Sequence, residues 1–280
     1  MAAERQHHAR LRAVMLSVML ALFAAPLLIT AFASFQLTLA LPLFLHATPA
    51  WSAYAEIGVA EPNFWRELMT STGLSALCTM LAVGLSFPAA HALARSHSRH
   101  KTWLLQGCLV LASLPIMAYL IPLDETLRLL RLKDTLMGLV LAQTATFAPL
   151  TVYLLAGYLI QARHTSELNE IEEAAQLDGA TPIEIVWCMA WPIARAGVAA
   201  ASLIIFVLNW NVLLLPLRLA GVNVKTVTVA MSDFFTFERE LSWPTAAVAL
   251  IVSALPLLVV VGVAHRVLEG LVVWVREARD

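Results

Sequence analysis

The chain has 280 residues, of which 60% are hydrophobic and only 13% are charged, and its formal net charge is −1. Soluble domains carry about 25% charged residues, so this composition argues against a soluble protein. It also argues against a disordered one, which needs low hydrophobicity and high charge. The near-neutral charge argues against a nucleic-acid-binding protein, which would carry a basic surface. We therefore expect a membrane protein.

Long windows without Asp, Glu, Lys or Arg predict where the chain crosses the membrane. A helix needs about 20 apolar residues to cross about 30 Å of hydrocarbon. In chain order we predict six spans, at about 14–35, 70–94, 103–123, 137–160, 197–217 and 244–265. The windows lack the alternation of β-barrel strands. The sequence thus predicts an all-α membrane domain over residues 13–268, with tails at 1–12 and 269–280.

The first charge-free window, residues 13–55, is longer than one span. We place its helix at about 14–35 and assign the remainder to an external segment; a second, proline-interrupted span near 37–54 is the alternative. The basic N-terminus and the Ala-Phe-Ala motif at 31–33 also resemble a cleavable signal peptide. Because the apolar stretch exceeds the roughly 7–15 residues of a signal peptide, we favour an uncleaved helix.

The loop at residues 95–101 predicts the orientation of the chain. It reads Arg-Ser-His-Ser-Arg-His-Lys and contains no acidic residue. Basic loops of this kind remain in the cytoplasm. An even number of spans puts both termini on one side, so we expect both in the cytoplasm.

The sequence lacks the motifs of an enzyme and of a carrier that uses buried charge. It has no glycine-rich GxxxxGK[ST] loop to hold nucleotide phosphates, and the predicted spans contain no carboxylate of the kind that proton-coupled carriers use. His97 and His100 have a metal-like spacing but lie in a basic loop without a carboxylate. We therefore expect neither catalysis nor a metal site.

The predicted loop between the fourth and fifth spans, residues 163–195, carries a dense acidic cluster. Five Glu and Asp residues lie from Glu167 to Asp178. Good helix formers predict a helix at about 168–178, and Gly179 can adopt the positive φ that ends a helix. Helices lying on a membrane surface usually carry Lys and Arg, so this acidic helix favours a protein partner.

A second helix is predicted in the same loop. Thr181 is suited to the N-cap, Pro182 to the first helical position and Glu184 to the third. This combination is a capping box with a favoured proline. We expect the helix to end before Pro192, since the residue preceding a proline is disfavoured in the helical region.

The loop also carries a spaced motif. It reads Glu-Ala-Ala, three residues, Gly, nine residues, Met, one residue and Trp-Pro, over residues 173–192. This pattern resembles the signature loop of the membrane subunits of bacterial ABC importers. That family usually has Ile and Leu where this chain has Met189 and Trp191.

Three further segments are similar to carbohydrate-type permeases of this class. Residues 87–95 resemble the end of their second span, residues 132–138 the entry to their fourth, and residues 208–211 a Trp-Asn element of their fifth. The resemblance covers roughly residues 50–216 and points to the smaller, six-span permease of maltose-type sugar importers.

This resemblance implies a type I ABC importer permease fold, with a cytoplasmic coupling helix between the fourth and fifth spans. In the family this helix sits in a cleft of a separate ATP-binding subunit. The residues implied in that contact are Glu170, Glu173, Ala174, Ala175, Asp178 and Gly179.

The resemblance also implies a complex in a bacterial or archaeal cell membrane, in contact with lipid. The partners would be a second permease, two copies of the ATP-binding subunit and an extracytoplasmic solute-binding protein. ATP and Mg²⁺ would be held by the ATP-binding subunit, and this chain would bind no cofactor itself.

Uncharged polar residues of the fourth and fifth spans are the candidates for a substrate pathway. They are Gln143, Thr144, Thr146, Tyr153, Asn209, Trp210 and Asn211. Amides and aromatic rings suit a hydroxyl-rich ligand such as a sugar or oligosaccharide. The alternative is that they form hydrogen bonds between helices.

We therefore expect a permease subunit of a sugar importer. A permease of the same architecture for another solute (a glycerol phosphate, a polyamine or an amino acid) and a membrane scaffold without transport activity are the alternatives. The predicted spans contain no Arg or Lys to neutralise a phosphate, which favours a neutral solute.

Overall fold

The computed structural model describes residues 63–165, 168–221, 224–233 and 243–277, with isolated positions at 15, 24–25, 28 and 30. The N-terminal tail, most of the first predicted span and the external segment after it lie outside the described residues. Internal contacts divide the chain into two units, Met1–Trp65 with Met231–Leu255, and Arg66–Ala230 with Pro256–Asp280. The residues discussed below as sites all belong to the second unit.

The described part of the chain is helical and contains no strand, which confirms the all-α prediction for that part. The helices are α1 (Phe64–Arg95), α2 (His100–Ser113), α3 (Ile116–Leu129), α4 (Leu136–Thr165), α5 (Leu168–Leu177), α6 (Pro182–Asn211), α7 (Leu214–Leu219), α8 (Val227–Asp233) and α9 (Trp243–Glu277).

Four helical stretches among the described residues are long and apolar enough to cross a membrane. They are Phe64–Arg95, Leu136–Arg163, Pro182–Asn211 and Ala246–Arg266. These stretches overlap the predicted second, fourth, fifth and sixth spans. Large apolar side chains such as Met80 and Val259 are exposed on them, as expected where a helix faces lipid. The total of six spans stays a prediction.

The predicted third span is broken rather than continuous. Residues 103–123 fall on α2 and α3, whose axes differ by 86°. The break lies at Leu114, which is extended with ψ 130°, and at Pro115, which precedes α3. A proline disfavours the helical conformation of the residue before it, and this local effect overrides the apolar window.

The prediction that the second helix of the loop ends before Pro192 is wrong, because α6 continues through this proline. A proline inside an α-helix lacks a donor and clashes with the carbonyl four residues earlier. Here the preceding segment, Ile185–Ala190, is π-helical, and the Trp191 N–H donates to Val186 five residues back. The wider turn makes room for the proline ring.

Helix α6, which corresponds to the predicted fifth span, also ends earlier than predicted. We expected the span to reach residue 217, but α6 stops at Asn211 because Val212 is extended, with ψ 122°. The chain then re-enters a short helix, α7. Helix α6 is therefore shifted toward the N-terminus relative to the predicted 197–217 and begins at Pro182.

One apolar core joins α1, α4, α5 and the first half of α6. Its fully buried members include Phe87, Leu159 and Leu168. Helices α4 and α6 approach closely at Gly197, where a Cβ atom would overlap the ring of Tyr158. The short helix α5 is thus fixed to the spans through an apolar contact at its first residue, Leu168.

Candidate functional site

Helix α5 has one buried edge and one exposed face. Leu168 and Glu172, four residues apart and therefore on the same side of the helix, are 0% and 1% exposed. The predicted partner-binding residues lie elsewhere on the helix and its turn: Glu170, Glu173, Ala174, Asp178 and Gly179 are exposed, and Ala175 is half-buried. The described chain leaves this face free for a partner.

The buried edge of α5 is joined to α1 and α4 by ion pairs. His91 Nε2 of α1 lies 2.8 Å from Glu172 Oε1. Arg163 Nη2 of α4 donates to both carboxylate oxygens of Glu172 at 2.8 Å, and Arg95 Nη1 lies 4.0 Å away. Arg163 Nη1 also donates to Asn169 Oδ1 of α5 at 2.5 Å. Three helices therefore meet at one carboxylate.

The charge on Glu172 is maintained by these contacts. Burial raises the pKa of this carboxyl, but hydrogen bonds from His91 and Arg163 outweigh burial and hold the pKa below its ordinary value. A buried carboxylate without such partners would be strongly destabilising. The ion pairs thus fix the position of α5 relative to two long helices and depend on all their members.

The turn from α5 to α6 has the local geometry that its residues predict. Gly179 has φ 87°. The Ala180 N–H donates to the Ala175 carbonyl at 2.9 Å and the Gly179 N–H to the Gln176 carbonyl at 3.1 Å, which is a Schellman motif. The glycine turn predicted after α5 is confirmed.

The predicted capping box at the start of α6 is also confirmed. The Thr181 N–H donates to Glu184 Oε2 at 2.7 Å, and the Glu184 N–H donates to Thr181 Oγ1 at 3.4 Å. Helix α5 and the start of α6 are therefore joined by a short turn that is hydrogen-bonded at both ends.

An aromatic cluster lies beside this turn. The rings of Phe87 and Trp191 meet edge to face with centroids 4.8 Å apart, and Trp187 lies 5.2 Å from Trp191. Trp191 is the residue that replaces the Leu of the signature loop. Its larger ring packs on α1, so this substitution adds an aromatic contact between α1 and α6.

The residues predicted for a substrate pathway do not all come together. Gln143, Asn209 and Trp210 line one small cavity, and Thr144 is buried nearby on α4. Thr146 is half-buried, while Tyr153 and Asn211 are exposed. Tyr153 is ten residues from Gln143 along α4, or about 15 Å, so these two side chains do not share one site.

Sequence analysis did not identify Glu172, His91 or Arg163 as site residues. The sequence places Glu172 within the acidic cluster and His91 near the predicted cytoplasmic end of a span, where an interfacial histidine is expected. Arg163 marks only the start of the loop. One signal was available: Glu172 follows Leu168 by four residues and so lies on the apolar side of α5. A carboxylate on that side needs a buried cation.

The chain is similar in sequence to permeases of bacterial transport systems. No family model matches it. The trehalose transport system permease protein SugB of Mycobacterium tuberculosis is 31% identical over 212 residues, which cover 74% of this chain and 75% of that protein. The chain belongs to the ABC importer permeases.

Two further relatives of this permease are also named as permease proteins of transport systems. The sulfoquinovosyl glycerol transport system permease protein SmoH of Agrobacterium fabrum is 28% identical, over 73% of this chain and 70% of its own. The sn-glycerol-3-phosphate transport system permease protein UgpE of Escherichia coli is 26% identical, over 77% of this chain and 75% of its own.

The permease also shares its fold with a solved structure. A chain of a bacterial ABC transporter involved in the import of the acidic polysaccharide alginate superposes with a TM-score of 0.74, at 18% identity, over 93% of this chain and 96% of that one. The permease is thus an integral membrane transport subunit and not an enzyme. Its family works with an ATP-binding subunit, a second permease and a solute-binding protein.

Proposed function

We propose that this permease forms half of the translocation pathway of an ATP-driven importer for a sugar or oligosaccharide. The supporting observation is the cavity lined by Gln143 and Asn209, which lies among long apolar helices and is lined by uncharged residues. Such a lining suits hydroxyl groups, whereas a phosphate would need a cation. The names of SugB and SmoH, which include a disaccharide and a sugar glycoside, agree with a carbohydrate solute.

Helix α5 acts in this proposal as the coupling helix. Its exposed face, with Glu170, Glu173 and Ala174 followed by Asp178 and Gly179, would sit in a cleft of the ATP-binding subunit. The half-buried Ala175 would permit close approach, because a methyl side chain leaves room for the partner. The acidic residues would meet basic groups at the rim of that cleft.

The buried edge of α5 supports the transmission of movement. When ATP binding brings two ATP-binding subunits together, a helix seated in each must follow. Glu172 passes the displacement to α1 through His91 and to α4 through Arg163. A coupling of this kind shifts a two-state equilibrium only by a differential contact energy, about 1–3 kcal/mol. A loose connection at Glu172 would dissipate that energy.

The assembly would contain one second permease, two ATP-binding subunits that hold ATP and Mg²⁺, and an extracytoplasmic solute-binding protein. The permease would have six spans with both termini in the cytoplasm. The basic loop after α1 supports this orientation. His97 of this loop and Lys101 at the start of α2 border the same cavity as Arg95 and Glu173, which supports a cytoplasmic position for α5.

Reconstitution tests the proposed function. The complex of both permeases, the ATP-binding subunit and the cognate binding protein is placed in liposomes. ATP-dependent uptake of trehalose, maltose and raffinose is compared with uptake of glycerol 3-phosphate. We expect uptake of at least one neutral sugar together with sugar-stimulated ATP hydrolysis. Uptake of glycerol 3-phosphate alone would show that the solute class is wrong.

A further inference from the structure

A small polar cavity lies inside the second unit, away from α5. Its lining comes from Ser71 and Ser75 of α1, Gln143 of α4, Asn209 and Trp210 of α6, and Thr226 and Thr228 before and within α8. The cavity is too narrow to admit a water molecule. It is therefore closed in this conformation, although its walls carry many groups that form hydrogen bonds.

Two amide side chains in this cavity are not satisfied. Gln143 is 0% exposed, and neither Nε2 nor Oε1 has a hydrogen-bond partner within the described ranges. Asn209 is 3% exposed, and its Nδ2 donates to the Ile205 carbonyl at 3.0 Å. Its Oδ1 accepts no hydrogen bond from any residue that the structure describes. A buried polar group without a partner loses its hydration without compensation, so the closed state holds these amides at an energetic disadvantage.

The hydroxyl groups of Ser71, Thr226 and Thr228 differ from the amides because they already have partners. Ser71 Oγ accepts the Val227 N–H at 2.7 Å. The hydroxyls of Thr226 and Thr228 lie 3.0 Å apart, and Thr228 Oγ1 donates to the Val212 carbonyl at 3.3 Å. These bonds hold the segment before α8 against α1 and α6. Gln143 and Asn209 are thus the groups left available to a ligand.

The cavity lies beside the break between α6 and α7. Val212 and Pro216 on either side of the break belong to its lining. Helix α7 is bonded to the segment before α4 rather than to α6: Leu219 accepts the Asp134 N–H at 3.0 Å, and Asp134 Oδ1 accepts the Gly221 N–H at 2.6 Å. A change of backbone angles at Val212 would therefore separate α7 from α6 and open the cavity. Broken helices beside polar groups are typical of solute sites in transporters.

We propose that Gln143 and Asn209 form a subsite on this chain that binds hydroxyl groups of a neutral, polyhydroxylated solute when the cavity opens. This inference rests on the proposed sugar transport and adds which residues contact the sugar. An amide offers both donors and an acceptor, and a sugar hydroxyl can match either. Trp210, stacked on Phe206 with centroids 6.1 Å apart, supplies an aromatic face for the apolar side of a sugar ring.

The chemistry of the cavity excludes a charged group at this position. Its described lining residues are all uncharged, and an ionised group without a partner is strongly disfavoured away from water. Because the solute binds only when the cavity is open, its binding stabilises the open state. Selection among neutral solutes then depends on how many hydroxyls reach Gln143 and Asn209.

An isosteric apolar substitution separates this role from a structural one. Gln143→Met keeps the volume of the side chain and removes its two unpaired polar groups. If Gln143 acts only in folding, the variant changes stability and leaves the apparent KM for sugar unaltered. If it contacts solute, the variant is as stable as the wild type or more stable, and the apparent KM for uptake rises.

The experiment uses the full reconstituted complex and the neutral sugar of the trehalose, maltose and raffinose panel that the wild type imports best. We expect Gln143→Met and Asn209→Leu each to raise the apparent KM for uptake about tenfold, the effect of roughly two lost hydrogen bonds. The matched control is Thr151→Val, a buried α4 residue whose hydroxyl is already bonded to Phe147 at 2.8 Å. This control should leave KM within twofold.

The outcomes separate the two proposals. Wild-type uptake of a sugar with unaltered KM in both amide variants would overturn the subsite and leave the proposed function in place. Failure of the Gln143→Met complex to assemble would also overturn it, because the amide would then be a structural requirement. Absence of sugar uptake by the wild type would overturn both.

Discussion

The two buried polar regions of this permease differ in how their groups are paired. Around Glu172, a carboxylate is matched by His91 and Arg163, and three helices are held together. Around Gln143, two amides are buried with unpaired atoms beside a helix break. A carboxylate whose two oxygens are both paired is held in place, whereas a buried amide with unpaired atoms can still accept another partner. The first region is suited to transmit movement and the second to receive a solute.

Removal of Arg163, the main cation beside Glu172, should have the largest effect on the attachment of α5 to the long helices. Arg163→Met leaves a buried carboxylate with His91 as its near partner, and breaking a buried ion pair costs about 3–5 kcal/mol. We expect α5 to lose its attachment to α4, with rapid hydrogen exchange of its backbone amides in the purified permease. The double variant Arg163→Met with Glu172→Gln removes both charges and should restore part of the protection of these amides against hydrogen exchange. Equal exchange in the single and double variants would contradict a charge-dependent attachment.

A large residue on the exposed face of α5 should affect coupling without affecting the fold. Ala174→Trp leaves the buried edge unchanged but obstructs close approach of a partner. We expect normal insertion into the membrane and loss of at least about 90% of sugar-stimulated ATP hydrolysis in the reconstituted complex, since a coupling term of about 1–3 kcal/mol is removed. Leu177→Trp, at an exposed apolar position of the same helix, tests whether the effect is specific to the small-residue position. Full stimulation in the Ala174 variant would refute the proposed docking face.

Acidification should weaken the Glu172 region before the Gln143 region. The folded pKa of Glu172 lies below the ordinary value of 4.5, so the unfolded chain takes up a proton first as the pH falls. The stabilisation is therefore complete above about pH 4.5 and is lost as the pH falls through the lower folded value. We expect the thermal unfolding midpoint of the purified permease to fall below this pH, and to fall less in Glu172→Gln. Parallel curves for the two proteins would contradict this assignment, in which His91, Arg163 and Arg95 are the basic side chains that face Glu172.

A substitution in the turn after α5 should have a smaller effect on stability and on coupling. Gly179 has a positive φ, which an alanine adopts at a cost of about 1 kcal/mol. Gly179→Ala should lower the thermal unfolding midpoint slightly and reduce sugar-stimulated ATP hydrolysis only in part. Gly84→Ala on α1 is a suitable control, because a Cβ atom there meets nothing within 4 Å. An equal change in both variants would show that the turn conformation is not the cause.

Local chemistry could be predicted from the sequence where one or two residues determine the geometry. Gly179 ends α5, and Thr181 with Glu184 caps α6, because these effects depend on neighbours within four residues. The apolar windows likewise located the long helices. Pro115 and Pro192 were less predictable: both are prolines in apolar surroundings, yet one breaks a helix and the other is accommodated by a π-helical segment.

The pairing of distant residues could not be predicted. Glu172 is one of five acidic residues from Glu167 to Asp178, and only the packing of α5 on α1 and α4 shows that it is the buried one. Gln143 and Asn209 were candidates, but so were Tyr153 and Asn211, which prove to be exposed. Which polar residues of a span share a cavity depends on how the helices rotate and cross. The rotation and crossing of the helices cannot be predicted from any local sequence pattern.

Site-directed cross-linking tests most directly whether α5 is the surface that sits in the ATP-binding subunit. The free cysteines Cys78, Cys108 and Cys188 are first replaced by alanine, and a single cysteine is then placed at Ala174 or, as a control, at the exposed Thr126. A short bifunctional reagent is applied to the assembled complex. We expect a covalent product with the ATP-binding subunit from Ala174→Cys and none from Thr126→Cys. An intact complex that gives no such product from Ala174→Cys would contradict it.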